Sequence, residues 1–218
     1  MRKQDISGTW YSGIPSWAEL KKMAQSGTIS QVLSEGDLIP IRLANGEENA
    51  IRVTHDQAGN MFFVFKDCLR TAAPMNDYNS SKNSSWATCE LQKYLQEQII
   101  FLLPDDMHET IKTIPIKQDI ENGIRLSYNE LFLLSEEQVF GECRLSHSEE
   151  GVSQLECFKG SRTKVRDGNP TWWWLRSPYS CNADCFVIVD SGGAVNYNYA
   201  DTAGGIAPAF CLIEPKKI

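Results

Sequence analysis

The sequence is short of histidine: three in 218 residues, at His55, His108 and His147, and none within a metal-binding or nucleophile motif. No glycine-rich loop sits between a strand and a helix, so no phosphate cradle is expected. The seven cysteines are an odd number and include no Cys-x-x-Cys pair. That pattern fits reduced, buried thiols better than a disulfide framework or a zinc site. The longest apolar run, Ile99 to Leu103, is far below the roughly 18 residues of a membrane span. Met1-Arg2-Lys3 is followed by Gln4-Asp5 rather than by the apolar core of a signal peptide, so a cytoplasmic or phage-associated protein is expected. The net charge is −7, from 21 basic and 28 acidic residues, with no basic patch, which speaks against nucleic-acid binding through phosphates. No catalytic residue, metal ligand or cofactor is expected.

What is present reads as one α+β domain over residues 1–218. Residues 1–36 form a helical N-terminal extension and residues 171–218 a C-terminal hairpin region. Ser16-x-x-Glu19 is a capping box that opens a helix carrying Trp17, Leu20 and Ala24, ended by Gly27. Leu38 to Leu43, Ala50 to Val53 and Met61 to Phe65 read as three antiparallel strands, with Asn45-Gly46 as the first hairpin turn. Thr71 to Ser85 is a polar loop. A helix is predicted over Trp86 to Leu102, with Leu91, Leu95, Ile99 and Leu102 on one stripe. Ile114 to Lys117 and Ile124 to Leu126 flank the turn Asn122-Gly123. Leu131 to Leu134 reads as a buried strand, and Ser135-x-x-Gln138 as a second capping box. Ser146 to Arg166 has no readable period.

The last quarter carries the unusual chemistry. In a strand, Trp172 and Trp174 face one way and Trp173 the other, so at least one face buries large rings. Arg176 has three available partners there: a ring face, backbone carbonyls or a carboxylate. Cys185 to Val189 reads as a strand, Ser191-Gly192-Gly193 as a turn, Ala194 to Tyr197 as the returning strand, and Ile206 to Ile213 as a closing strand. Tyr179 to Asp184 and Asn196 to Thr202 are rich in Tyr, Asn, Ser and Asp, the residues of recognition loops. Either a solvated hairpin tip or a binding surface accounts for them.

Trp173-Trp174-Leu175-Arg176-Ser177-Pro178, Ser191-Gly192-Gly193-Ala194-Val195 and Gly204-Gly205-Ile206-Ala207-Pro208-Ala209-Phe210 resemble the WWLRSP…G-x-V…GG-[VI]-RPA-[LF] ending of a domain-of-unknown-function family abundant in gut bacteria and their prophages. Phe132 to Glu136 and Trp86…Leu91…Tyr94-Leu95 match that family in order. Ala207 stands where the family usually has arginine. The resemblance implies a C-type-lectin-like fold, with mixed or antiparallel sheets and hairpins and two or more flanking helices. It is similar to the variable proteins of diversity-generating retroelements. It further implies a non-catalytic module that binds an unidentified protein or glycan. The contact residues it implies are Tyr179, Ser180, Asn182, Asp184, Asn196, Tyr197, Asn198, Tyr199 and Asp201, with Trp172, Trp173, Trp174 and Arg176 as scaffold. A formylglycine-generating-type enzyme using Cys181 or Cys185, and a phage or cell-surface structural component, are the alternatives. The calcium-site signatures of sugar-binding lectins do not occur in the sequence.

Overall fold

The computed structural model describes residues 2–4, 10–12, 14–78, 85–120, 123–149 and 152–216. Its architecture is α+β, built from antiparallel strand pairs with short helices. The largest sheet holds β1 (Arg2–Gln4), β2 (Trp10–Ser12), β3 (Leu38–Arg42), β4 (Glu48–His55), β5 (Met61–Phe65) and β13 (Ala209–Phe210), in the order β13-β5-β4-β3-β1-β2. Residues 1–36 therefore supply two strands of the sheet as well as α1 (Trp17–Gln25).

The capping box of α1 forms as expected: the Glu19 amide reaches the Ser16 hydroxyl and the Glu19 carboxylate takes the Ser16 amide at 2.8 Å. The helix turns Trp17 and Leu20, both fully buried, onto the sheet. Trp17 meets Phe63 and Phe210 edge-on at 5.8 and 5.7 Å, and those two rings stack at 5.1 Å across the β5–β13 pair. Each such side chain contributes roughly 1.5–3 kcal/mol on burial, so this cluster joins the two ends of the chain. β13 is shorter than the expected closing strand: only Ala209 and Phe210 pair, with Val64 and Phe63.

The helical segment after Trp86 comprises α2 (Glu90–Tyr94), a π turn over Leu95–Ile99 and a 3₁₀ turn over Ile100–Leu102, followed by α3 (Asp105–His108). The stripe residues Leu91, Leu95 and Ile99 are buried. β6 (Ile114–Ile120) and β7 (Gly123–Asn129) form a hairpin of their own. Asn122 of the expected turn lies outside the described residues, as do residues 79–84 of the polar loop. Leu131 to Leu134 is buried but is not a strand; its one ladder-like contact is the bridge from Phe132 to Ala209. α4 (Glu136–Phe140) follows, opened by the Ser135–Gln138 capping box.

β8 (Lys164–Arg166), at the end of the stretch that had no readable period, and β9 (Asn169–Thr171), just beyond it, make a small hairpin. The remaining sheet, β10 (Trp173–Pro178), β11 (Cys185–Val189) and β12 (Val195–Tyr199), is antiparallel in chain order, and β11 is buried on both faces. Trp172 lies just outside it. Among the described residues no helix is long and apolar enough to cross a membrane.

Candidate functional site

The β10–β11–β12 sheet is anchored by an interlock between its tryptophans and Gly204-Gly205. Trp173 and Trp174 are fully buried, and their indole N–H groups donate to the carbonyls of Arg162 and Ala73 at 3.1 and 3.0 Å. Trp172 meets Trp174 edge-on at 5.0 Å. The Trp174 amide donates to the Gly205 carbonyl at 3.0 Å, and Gly204 exchanges backbone bonds with Ala73. A Cβ on Gly204 would stand 2.3 Å from the Trp172 ring; one on Gly205 would stand 2.6 Å from the Trp172 carbonyl oxygen and 2.8 Å from Cys68 Sγ. The glycines are thus required by close approach. Ala207, where the resembled family has arginine, is fully buried two residues beyond them.

Arg176 reaches all three kinds of partner open to it. Its guanidinium pairs with Glu149, with Nε at 3.1 Å from both carboxylate oxygens and Nη2 bonded to Oε2. Nη1 donates to the Leu133 carbonyl at 2.8 Å and to Gln138 Oε1 at 2.7 Å, and the Phe132 ring lies 6.0 Å away. Sequence reasoning missed Glu149, which belongs to the stretch with no period. Ser177 accepts the Glu136 amide at 2.9 Å. Glu136, fully buried, accepts the amides of Arg144, Leu145 and Ser146 at 2.9, 3.0 and 2.8 Å and the Ser146 hydroxyl at 2.6 Å. The Leu145 carbonyl in turn takes both the amide and the hydroxyl of Ser180 at 2.8 Å. A chain of bonds therefore runs from the motif strand through α4 to the loop that carries the candidate contacts.

That loop, residues 179–184, is folded on itself. Tyr179 N–H donates to the Cys185 carbonyl at 3.0 Å, and Asn182 Oδ1 accepts the Asp184 amide at 2.9 Å, an Asx turn. The Ala200 amide reaches the Asp184 carbonyl at 2.8 Å and so ties in the end of β12. Above this junction the Tyr179 and Tyr197 rings lie nearly parallel, 10° apart with centroids 4.2 Å apart. A hydrogen bond with Cys181, more than burial or neighbouring charge, holds the Tyr179 phenol above its ordinary value. Tyr197 and Tyr199 remain 45% and 57% exposed.

The nine candidate residues divide between two faces. Tyr197 pairs with Val187 and Tyr199 with Cys185, whereas Asn196 and Asn198 pair with Ile188 and Phe186. Strand alternation therefore sends the two asparagines to the side opposite the tyrosines. Their Oδ1 atoms accept the amides of Tyr197 and Tyr199 at 2.9 Å each. They occupy amides of an edge strand that would otherwise invite another strand. Ser180 and Asp201 are exposed and Asn182 and Asp184 half-buried, at the same end of the sheet as the stacked rings. Neither Asp184 nor Asp201 has an ion-pair partner among the described residues.

Cys181 is exposed and Cys185 fully buried, so the two thiols occupy different surroundings. Among the described residues no group of three or more His, Cys, Asp or Glu side chains is placed to hold a metal ion.

In comparison with known proteins, the sequence model of a domain of unknown function (DUF6273) matches residues 59–214. No curated protein and no solved structure matches the chain.

Proposed function

The chain belongs to the DUF6273 family, whose function is unknown, and on that premise we propose that it is a non-catalytic, C-type-lectin-like binding module. It presents Tyr179, Tyr197 and Tyr199, flanked by Ser180, Asn182, Asp184 and Asp201, to a protein or glycan. The observation that carries this reading is the Tyr179–Tyr197 stack, partly exposed at one end of a sheet whose central strand β11 is buried throughout. Stacked tyrosines supply rigid amphipathic area at little entropic cost, and the unpaired carboxylates beside them accept hydrogen bonds from hydroxyl or amine groups. The bond chain from Ser177 through Glu136 and Leu145 to Ser180 supports the same reading, because it fixes the loop in advance of binding. The different surroundings of Cys181 and Cys185 favour this reading over a paired-cysteine enzyme. By the same proposal the tip is a diversified or formerly diversified retroelement target. A neighbouring near-copy of the DNA encoding Trp172 to Phe210, differing at adenines, is then expected.

The test of binding is a screen of a glycan array and a displayed-peptide library with the intact chain, run beside the Tyr179→Ala/Tyr197→Ala variant after circular dichroism has shown that both are folded. Ligands retained by the native chain and lost by the variant support the reading. Ligands retained equally by both remove the tyrosine tip from it.

A further inference from the structure

The β6–β7 hairpin is a two-stranded sheet of its own, and its two faces differ in kind. The inner face is pinned to the fold. Gln118 Oε1 accepts the Trp86 amide at 2.8 Å, Gln118 Nε2 donates to the Arg176 carbonyl at 3.0 Å, and Asn129 Oδ1 accepts the Trp86 indole N–H at 3.1 Å. The outer face carries Ile124, Leu126 and Tyr128, which are 68%, 47% and 65% exposed. From Gly123 to Leu126 every residue is exposed, so the far half of β7 leaves the body of the fold. Among the described residues no backbone group of residues 113–128 bonds to backbone outside the hairpin, which leaves one edge free on each strand.

The two edges are not equivalent. β6 presents Pro115, which has no N–H to donate, and the exposed Lys117, and both features keep a further strand away. The edge of β12 is guarded by Asn196 and Asn198. β7 has neither proline nor lysine, and alternate positions hold apolar side chains. An edge of that kind is a template for another strand. Its order fits a second copy of itself. Ile124 and Tyr128 lie two residues either side of Leu126, with Arg125 and Ser127 between. An antiparallel pair of β7 strands centred on Leu126 sets Leu126 against Leu126, Ile124 against Tyr128 and Arg125 against Ser127. All six apolar side chains then share one face and meet as cross-strand pairs. Centring on Arg125 instead would set two guanidinium groups directly opposite each other, which like charge disfavours. The charged positions of β6, Lys117 and Asp119, stay on the outer strands. We propose that the free edge of β7 is a self-association surface. Two copies join there into a four-stranded sheet of order β6-β7-β7-β6, with its two-fold axis at Leu126. One strand pair makes an interface below about 1,200 Å², so the dimer is weak, with a dissociation constant on the order of 100 µM.

Sedimentation equilibrium of the full chain, over a range from about 20-fold below to about fivefold above that constant, tests the proposal. The mean mass of the native chain is expected to rise with concentration from 24.6 kDa toward twice that value. Leu126→Lys and Leu126→Glu, at an exposed position, should each stay monomeric while circular dichroism shows them folded. An equal mixture of the two should associate again, because a lysine then faces a glutamate across the two-fold axis. Arg125→Gln should associate like the native chain. A native chain that is monomeric throughout, association that survives either Leu126 variant, or a mixture that stays monomeric overturns the proposal. Binding of a monomeric native chain to phosphatidylcholine vesicles through Leu126 would overturn it too and give the face to a bilayer. The tyrosine tip shares no residue with β7, so none of these results bears on its ligands.

Discussion

The carboxylate of Glu149 and the guanidinium of Arg176 form an ion pair with side chains only 4% and 3% exposed, joining the motif strand β10 to a segment 27 residues earlier. The pair is largely shielded from water, and its partners are not exchangeable one at a time. Glu149→Gln is expected to destabilise the fold by about 3–5 kcal/mol, because it leaves the guanidinium charge buried without its counter-ion. Glu149→Leu/Arg176→Met should cost clearly less than the two single changes added together. Urea denaturation of the native chain, Glu149→Gln, Glu149→Leu, Arg176→Met and the double variant checks this. A single-variant cost of about 0–1 kcal/mol, typical of surface pairs, would contradict the buried role.

Gly204 and Gly205 predict different penalties for the same added methyl. On Gly205 the obstacle is the backbone oxygen of Trp172 and the buried Cys68 sulfur, which cannot move aside. On Gly204 the nearest atoms belong to the half-buried Trp172 ring, which can, while Nε1 of the buried Trp174 stands 2.6 Å away and stays fixed by its bond to the Ala73 carbonyl. Gly205→Ala should therefore lower stability more than Gly204→Ala, with both in or above the overpacking range of about 1–3 kcal/mol. Trp172→Leu should restore part of the loss in Gly204→Ala, the contact with Trp174 Nε1 remaining, and little of that in Gly205→Ala. Thermal melts of the five proteins decide it. Equal losses from the two glycines would contradict the interlock.

Lys164 is 4% exposed, donates to the carbonyls of Phe65 and Lys66, and lies 5.0 and 5.6 Å from the Trp173 and Phe158 rings. No carboxylate pairs with it among the described residues. Burial pulls its ammonium down to about 8 from the ordinary 10.5. Between those two values the unfolded chain holds more protons than the folded one, so this group makes stability rise with pH. Below about 8 the full cost of burying the charge is present. The unfolding free energy of the native chain minus that of Lys164→Met should therefore increase from pH 8 to pH 10.5. Taking the difference cancels a thiol remote from Lys164, such as Cys89, which burial pushes upward in the native state and which acts in the opposite direction. A flat or falling difference would contradict the assignment.

Much of the scaffold is legible in the sequence where local chemistry decides it. Met61 to Phe65 and Cys185 to Val189 are runs of β-formers bounded by turn residues, and both form strands with those bounds. The two capping boxes are local reciprocal bonds and form as read. Leu131 to Leu134 looks like a strand because it is apolar and buried. Its backbone goes elsewhere: the Leu133 carbonyl takes Arg176 Nη1, the Leu134 carbonyl takes the Arg176 amide, and the Leu131 carbonyl takes the Gln96 side chain. No pattern in the run announces those side-chain partners. At the candidate site, alternation alone separates Tyr197 and Tyr199 from Asn196 and Asn198. The Tyr179–Tyr197 stack required the return of a loop 18 residues away, and the partners that stiffen that loop, Glu136 and Leu145, lie 44 and 35 residues before Ser180.

The most direct measurement of the one-face account is the dissociation constant of a ligand recovered in the screen, taken for Tyr197→Ala and for Asn196→Ala. Both positions are exposed and adjacent in β12, but their side chains leave the strand on opposite sides. Tyr197→Ala is expected to weaken binding by roughly tenfold or more, a contact of about 1.4 kcal/mol, and Asn196→Ala to leave it nearly unchanged. Equal losses from the two, or a loss confined to Asn196→Ala, would contradict a binding surface built on the tyrosine stack.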